Sequence, residues 1–186
     1  MSHSGTATVS RAAHAEIALL RLDSDSPRVT DLRAAVLKLR LAPGQTRYSG
    51  QAATTLPRAD ADPNRTPFAV TRAGDAVGFG IIDRVGNLGE LTDDPARATL
   101  LRAFYIDAHW QHRGIGRAAC RALAPFVHDL APEATDIVLT VNEGNSVALR
   151  AYTAAGFMAT GRRYLGGDAG PQLVLRKPIT LTSPSS

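Results

Sequence analysis

The chain has 186 residues, of which 44% are hydrophobic, so it is long enough for one well-formed core and too short for two ordinary domains. No run approaches the roughly 20 consecutive apolar residues of a membrane helix, and the first residues lack the apolar centre of a secretory signal. We therefore expect a cytoplasmic protein with no membrane partner. The net charge of +4 comes mainly from arginine, because Lys38 and Lys177 are the only lysines. The arginines form no block of like charge, which favours a solvated surface and makes a nucleic-acid partner unexpected.

The first half of the chain predicts a strand, a helix and a hairpin. Residues 1–14 and 179–186 are polar and aperiodic, so we expect flexible ends around a single domain at 15–178. The predicted elements are a strand at 16–22, a helix that Ser26-Pro27 introduces and that runs over 31–41, a short helix at 51–59, and strands at 68–71 and 77–83. The last two are joined at Ala73-Gly74-Asp75, a hairpin signal.

The second half predicts strands and helices in alternation. After a looser loop at 84–97, the elements are a strand at 99–107, a helix at 115–130, a strand at 136–141, a helix at 146–155 that Gly156 caps, and strands at 158–164 and 172–176. Pro125 is expected to kink or break the first of these helices. The last two strands are expected to turn at residues 166–168.

Two glycines lie where the strand at 99–107 passes into the next helix, in the segment Gln111 to Gly116. The first N–H groups of a helix have no partner within it and carry the positive end of its dipole, so this turn predicts an anion site. Arg113 and Arg117 can add charge-assisted contacts to a phosphate. The segment is neither a Rossmann fingerprint nor a Walker loop, because Ala119 replaces the last glycine and no Gly-Lys-Ser/Thr follows.

The segment Gln111 to Gly116 resembles the signature Gln/Arg-x-x-Gly-x-Gly/Ala of the GNAT superfamily of N-acetyltransferases. A second signature of that family, an Asn followed seven residues later by Tyr and then by Gly-Phe, is matched by Asn145, Tyr152, Gly156 and Phe157. The resemblance implies an α/β (α+β) GNAT fold. In that fold a central mixed, mostly antiparallel sheet is splayed in a V and flanked by helices.

The resemblance also implies acetyl-coenzyme A as the co-substrate. The backbone of Phe104, Tyr105 and Ile106 is expected to pair with the pantetheine arm, and Asn145 to hold the cofactor through its amide. The pyrophosphate is expected on the N–H groups of Gln111, His112, Arg113, Gly114, Ile115, Gly116 and Arg117. His112 stands where members of the family usually carry glycine.

The resemblance assigns two catalytic positions. Tyr152, which also borders the cofactor, matches the residue that protonates the departing sulfur, and the N–H of Ile106 matches the oxyanion contact. The base that deprotonates the amine is open. The candidates are the carboxylates Asp83, Glu90 and Glu143, with His109 and His112 as a histidine alternative.

The sequence offers little to a metal ion. Cys120 is the only cysteine, so a disulfide within the chain and a cysteine-based metal site are excluded, and we interpret Cys120 as a packing residue. His109 and His112 have no carboxylate or cysteine neighbour beyond Asp107. We therefore expect no metal site.

Residues 37–80 resemble bacterial spermine/spermidine-type members of the superfamily, which implies a primary amine acceptor, either a polyamine or a similar small amine. Two alternatives remain open: an acetyltransferase for a peptide N-terminus or an aminoacyl-tRNA, and a non-catalytic sensor that binds coenzyme A. The presence of Tyr152 argues against the sensor, because a protein that only binds coenzyme A needs no general acid. A homodimer is left open.

Overall fold

The computed structural model describes residues 16–167 and 169–180, so residues 1–14 and 181–186 of the predicted flexible ends lie outside the described residues. The strands are β1 (Ile17–Arg21), β2 (Arg65–Arg72), β3 (Asp75–Asp83), β4 (Ala98–Ile106), β5 (Asp136–Asn142), β6 (Met158–Tyr164) and β7 (Gln172–Pro178). The α-helices are α1 (Pro27–Val36), α2 (Ala52–Asp60), α3 (Leu88–Leu91), α4 (Ile115–Leu130) and α5 (Ser146–Ala154). No helix in the described part of the chain is both long and apolar enough to span a bilayer.

The strands form one sheet in the order β1-β2-β3-β4-β5-β7-β6. Every neighbouring pair is antiparallel except β4 and β5, which run parallel. That parallel pairing begins at Ala98 opposite Asp136 and ends at Leu100 opposite Val138. Beyond this point the two strands separate, so the sheet is splayed as the resemblance implied, and the predicted mixed, mostly antiparallel fold is confirmed.

Apolar side chains cover both faces of the sheet, because successive residues of a strand point to opposite sides. Phe68 and Val70 of β2 are fully buried in the cluster that contains the apolar face of α4. Ala69, between them, is buried in the cluster that contains α1 and α2. The same alternation on β4 places Ile106 with α4 and Tyr105 with α1 and α2, so β4 lies in the middle of the core.

Helix α1 begins as predicted and ends five residues before the predicted end. The Ser26 hydroxyl accepts from the Val29 N–H at 3.2 Å, and Pro27 occupies the first turn. The prediction of helix up to Leu41 was wrong because the backbone after Val36 finds other partners. The N–H of Arg40, in particular, donates to Asp107 Oδ2 at 2.7 Å. The chain after α1 is thereby attached to the end of β4.

A β-bulge lies in β4 opposite Gly80, just beyond the point where β4 and β5 separate. Phe79 pairs with Tyr105 and Ile81 with Arg102, and Ala103 in between adopts a left-handed φ of 48°. A Cβ at Gly80 would lie 2.4 Å from the Phe68 ring, so this position requires glycine. The bulge adds to the local twist of the strand as it leaves β5.

Helix α4 runs from Ile115 to Leu130 through Pro125, so of the predicted kink or break the break was wrong, and the kink stays a prediction. Proline removes one backbone hydrogen bond. Buried residues on both sides of it, Ile115, Leu123 and Val127 among them, keep the helix packed on the sheet. The loop at 84–97 contains α3, whose Leu88 and Leu91 pack in a third apolar cluster against the start of β4.

Candidate active site

A cavity of about 390 Å³ opens where β4 and β5 separate, between the N-terminus of α4 and the helix α5. Every predicted cofactor-binding residue except Arg113 lines it: Phe104, Tyr105, Ile106, Gln111, His112, Gly114, Ile115, Gly116, Arg117, Asn145 and Tyr152. The fold therefore brings two sequence signatures that lie far apart in the chain to the two sides of one opening.

The β4 side of the cavity is a strand edge. Pairing with β5 ends at Leu100, while pairing with β3 continues to Ile106. The backbone beyond Leu100 thus faces the cavity without a neighbouring strand among the described residues, and such an edge can pair with an extended ligand. Phe104 and Ile106 line the cavity, whereas the Tyr105 hydroxyl accepts from the Ala52 N–H at 3.1 Å on the other face of the sheet. Tyr105 pairs with Phe79, and the hydrogen bond from Asp107 N–H to the Val77 carbonyl oxygen shows that the backbone N–H and C=O of Tyr105 also face β3. The open edge is therefore carried by Phe104 and Ile106, and the predicted backbone contact of Tyr105 with the pantetheine arm is not supported by its position.

The N-terminus of α4 forms the floor of the cavity. Gly114 precedes the helix with a left-handed φ of 77°, and no side chain of the described residues caps the first turn. His112 also has a left-handed φ, at 61°. Uncapped amides at the positive end of a sixteen-residue helix, with Gly116 beside them, have the geometry that suits an anion, and phosphate binding at this turn stays a prediction.

Gln111 joins this turn to two other parts of the site. Its Nε2 donates to the carbonyl oxygen of Ile106 at 2.9 Å and to Gln45 Oε1 at 3.0 Å. Gln45 lies in the irregular segment after α1 and also accepts from the Ala42 N–H at 3.1 Å. One side chain therefore fixes the anion-binding turn relative to the end of β4 and to the segment at 41–49.

The two arginines of the turn have different surroundings. Arg117 lines the cavity. The guanidinium of Arg113 lies 5.1 Å from the centre of the Trp110 ring, with Arg72 at 5.1 Å from the same ring, and Arg113 does not line the cavity. The predicted contact of the Arg113 side chain with a phosphate is therefore not supported by its position.

Tyr152 reaches the cavity from α5. Its ring centre lies 6.3 Å from that of Phe104 across the opening and 5.6 Å from that of Phe157. Burial raises the pKa of the phenol above its ordinary value of 10, and the neighbouring Cys120 raises it further. The hydroxyl makes no hydrogen bond to any of the described residues. Tyr152 is thus a neutral donor at physiological pH, held by aromatic packing with its hydroxyl unpaired.

Asn145 has a structural role that limits what it can offer a ligand. Its Oδ1 accepts from the Ala148 N–H at 3.2 Å and so caps α5. The amide nitrogen is the part that remains for a cofactor, and the predicted contact through this amide stays a prediction.

The carboxylates predicted as candidate bases lie outside the cavity. Asp83 is buried at the far end of β3, where Arg65 Nε and Arg102 Nη1 lie 3.0 and 3.1 Å from its Oδ2. Glu90 is exposed on α3. Neither Asp83 nor Glu90 lines the cavity wall, so their assignment as bases is not supported by where they lie.

Glu143, the third candidate, follows β5 and is held by Arg163 through contacts of 2.6 and 2.8 Å. The hydrogen bonds from Arg163 lower the pKa of this carboxyl. His109, exposed in the turn after β4, does not line the cavity, whereas His112 does.

Sequence reasoning missed one wall of the cavity. The segment at 41–49 borders the opening, and the end of β5 and the start of β7 complete the wall. The lining residues involved are Leu41, Gln45, Tyr48, Ser49, Asn142 and Gln172. The Tyr48 hydroxyl lies 3.3 Å from where a Cβ on Gly144 would stand, so the segment reaches the β5 side. No local periodic pattern marks these residues, since the segment at 41–49 is irregular apart from a short 3₁₀ turn at Gln45–Arg47.

Comparison with known proteins agrees with this geometry. Residues 33–157 match the profile of the Acetyltransferase (GNAT) family, and the chain belongs to that family. It is 30% identical over 139 residues to the probable spermine N(1)-acetyltransferase of Bacillus subtilis subsp. natto (strain BEST195), covering 74% of this chain and 89% of that one. It is 29% identical to the spermine/spermidine N(1)-acetyltransferase of Bacillus subtilis (strain 168), with the same coverage. The predicted superfamily and its spermine/spermidine-type resemblance are confirmed.

Solved structures show the same fold. The aminoglycoside acetyltransferase AAC(6')-Ib, in complex with acetyl-coenzyme A and an aminoglycoside, superposes with a TM-score of 0.67 at 20% identity, covering 88% of this chain and 93% of that chain. The ribosomal-protein-S18-alanine N-acetyltransferase from Escherichia coli superposes with a TM-score of 0.56 at 19% identity, covering 91% and 98%. These structures confirm the predicted fold. The family match and the Bacillus relatives confirm the predicted enzyme class, an N-acetyltransferase.

Proposed function

We propose that this protein transfers the acetyl group of acetyl-coenzyme A to a primary amine of a small molecule, with polyamines as the acceptor class. The observation that carries the proposal is the opening between β4 and β5, which has uncapped helix amides at one end and the Tyr152 hydroxyl within it. The opening can hold a long, thin cofactor that ends in a thioester.

The site offers each part of coenzyme A a suitable partner. The unpaired edge of β4 beyond Leu100 suits the amides of the pantetheine arm, which can pair with it as an extra strand. The amides at the start of α4, with Arg117 beside them, suit the pyrophosphate. With coenzyme A bound in this way, its thioester would lie towards Phe104 and Tyr152, which also line the cavity.

The transfer then follows from the groups around the thioester. The lone pair of the neutral amine nitrogen attacks the carbonyl carbon, and the negative charge that develops on oxygen is stabilised by the N–H of Ile106. The carbon–sulfur bond breaks, and the sulfur takes the electron pair and a proton from Tyr152. The phenol regains a proton from the acetylated nitrogen through solvent. A phenol whose pKa is raised by burial is protonated at neutral pH, as a general acid must be.

The acceptor amine must arrive without its proton. Asp83 and Glu90 lie outside the cavity, so we assign them no part in the deprotonation of the amine. The acceptor enters past the segment at 41–49, where Gln45, Tyr48 and Ser49 offer hydrogen-bonding groups. Polyamines as the acceptor class rest on the two Bacillus relatives, whose names give spermine and spermidine as their substrates.

A panel assay tests this proposal. Release of free coenzyme A from acetyl-coenzyme A is measured with spermine, spermidine, an aminoglycoside and peptides with free N-termini, and each product is identified by mass spectrometry. We expect acetylated polyamine at the highest kcat/KM. Turnover with the peptides alone would assign a macromolecular acceptor instead, and tight binding of coenzyme A without turnover on any amine would indicate the sensor.

A further inference from the structure

We propose that Lys177 is a positioning residue for the acetyl transfer: its ammonium group holds the end of helix α5 and thereby sets the position of the Tyr152 hydroxyl. The inference rests on the proposed function, because it takes Tyr152 as the proton donor. Lys177 does not line the cavity, so it would act through Tyr152 and make no contact with the substrate.

Helix α5 carries the proton donor but has little apolar packing of its own. None of its nine residues, all of which the structure describes, is buried. Its partly buried contacts with the main apolar cluster are Ala148, Leu149 and Tyr152. The residues just after the helix, Ala155 and Phe157, are buried. A helix this short depends on tertiary contacts for its position, and these contacts are concentrated at its C-terminal end.

The C-terminal cap of α5 holds both the backbone and the ring of Tyr152. The N–H of Phe157 donates to the carbonyl oxygen of Tyr152 at 3.0 Å, and the N–H of Gly156 donates to that of Thr153 at 3.0 Å. Gly156 has a left-handed φ of 92°, so these two hydrogen bonds form a Schellman motif. The apolar contact that accompanies this motif joins the rings of Tyr152 and Phe157, whose centres lie 5.6 Å apart. The position of the Tyr152 ring therefore depends on where the cap lies.

Lys177 attaches this cap to helix α4. Its Nζ donates to the carbonyl oxygen of Ala155 at 3.0 Å and to that of Cys120, in α4, at 2.7 Å. The same Nζ lies 5.8 Å from the centre of the Phe157 ring, and its Cε lies 3.8 Å from where a Cβ on Gly156 would stand. A cation is favourable at the C-terminus of a helix, where carbonyl oxygens lack partners within the helix.

The sheet holds Lys177 itself in place. Its backbone pairs with that of Ile137, a fully buried residue of β5. Cys120, whose carbonyl oxygen accepts from Lys177, lines the cavity together with Tyr152. Loss of the ammonium group should therefore let the end of α5 shift and move the Tyr152 hydroxyl relative to the thioester. The start of α4 and the edge of β4, where we propose that coenzyme A binds, should stay in place.

A double-mutant cycle in kcat tests the inference. Lys177→Met keeps an unbranched side chain and removes its hydrogen-bond donors, and it is made in the wild type and in Tyr152→Phe. We expect it to lower kcat roughly tenfold in the wild type, because a small displacement of a catalytic group is costly. In Tyr152→Phe, where no hydroxyl is left to position, the same substitution should change kcat by less than about twofold.

The affinity for coenzyme A separates a positioning role from general damage to the site. In Lys177→Met the Kd of coenzyme A should stay within about twofold of the wild type while kcat falls. Lys38→Met is the matched control and should leave kcat unchanged, because Lys38, the other lysine of the chain, is exposed and does not line the cavity. Equal losses of kcat in the two backgrounds would overturn the inference, as would a wild-type kcat in Lys177→Met.

Thermal unfolding provides the folding control for each variant. If Lys177→Met is unfolded under the assay conditions, the cycle is run with Lys177→Gln, which keeps an amide donor on a shorter side chain, and the same comparison decides. Failure of the proposed function looks different, since the wild type would then acetylate no amine or Tyr152→Phe would turn over as fast as the wild type. Failure of the inference alone leaves Tyr152→Phe slow.

Discussion

The side-chain amide of Gln111 donates to the carbonyl oxygen of Ile106 at 2.9 Å and thereby joins the turn before α4 to the end of β4, where we propose the oxyanion contact. The same nitrogen reaches Gln45 at 3.0 Å. Gln111 therefore couples the turn before α4, the end of β4 and the segment at 41–49, which are the places that we propose for the pyrophosphate, the thioester and the acceptor. The first position of the glycine signature thus orients the candidate site in addition to lining the cavity.

Replacement of Gln111 by Ala should weaken coenzyme A binding about tenfold and lower kcat, because the turn and β4 lose their common hydrogen bonds, each worth roughly 1 kcal/mol. Isothermal titration and steady-state kinetics measure the two effects. Gln51→Ala is the matched control, since Gln51 is exposed and lies outside the cavity wall. Equal affinities in the Gln111→Ala variant and the wild type would show that the link is dispensable.

Replacement of Tyr152 by Phe should lower kcat at least tenfold with little change in cofactor affinity. The change removes the proton donor and keeps the ring that packs against Phe104 and Phe157. The unfolding temperature should be nearly unchanged, because the Tyr152 hydroxyl forms no hydrogen bond with the described residues. Unchanged turnover with the preferred amine would remove Tyr152 from the mechanism.

Replacement of Asp83 by Asn should cost stability and leave the chemistry intact. The carboxylate is buried between Arg65 and Arg102, so its loss leaves Arg102 without its partner and leaves Arg65 with Asp62 alone, at 3.2 Å. We expect a cost of roughly 2–3 kcal/mol once the partial exposure of the two guanidiniums is taken into account. Chemical denaturation measures the loss. At a temperature where the variant is folded, kcat should stay within about twofold of the wild type.

Glu90→Gln is the matched control for Asp83→Asn, because Glu90 is exposed and should affect neither stability nor kcat. A large fall in kcat for either variant, with the fold intact, would restore that carboxylate as the base.

Cys120 should make the protein less stable at alkaline pH. Burial raises the pKa of its thiol to about 12, and Lys177 acts weakly in the opposite direction. The unfolded chain releases this proton near pH 8.5, so between about pH 9 and pH 12 the unfolded state holds fewer protons and the free energy of unfolding falls as pH rises. Between pH 9 and 10 the free energy of unfolding of the wild type should fall by about 1 kcal/mol more than that of Cys120→Ala.

Urea denaturation of both proteins at each pH measures this difference, and the comparison cancels the contribution of the tyrosines. If the free energy of unfolding falls with pH at the same rate in the wild type and in Cys120→Ala, the raised pKa of the Cys120 thiol is contradicted. Slow alkylation of the native thiol at pH 8, and fast alkylation after unfolding, should accompany the expected result.

The local sequence predicted those parts of the site that short segments build. The glycine turn, its strand and its helix lie within the span 98–130 and follow from periodicity and turn chemistry. Asn145 caps the short helix α5, which carries Tyr152. The V-shaped opening came from the family resemblance, since nothing in the residues themselves indicates that β4 and β5 stop pairing at Leu100.

The remaining features depend on contacts between distant residues. Gln45 and Gln111 are 66 positions apart, and the segment that carries Gln45 has no periodic pattern. Asp83 looked like a base because it ends a strand beside the site, yet only the sheet register shows that Arg65 and Arg102 meet it. A carboxylate at the end of a strand can be assigned a catalytic or a structural role only when the residues that it pairs with are known, and the sequence alone does not show them.

The most direct test of the account is to map the bound cofactor by amide chemical shifts while coenzyme A is titrated into the labelled protein. Perturbations should concentrate at Phe104–Ile106, at Gln111–Arg117 and at Asn145, whereas Asp23 and Arg84, which line a separate polar cavity, should not move. Perturbations confined to that other cavity, or saturating coenzyme A with no shift at Gly114 and Gly116, would contradict the assignment of the opening between β4 and β5 as the active site.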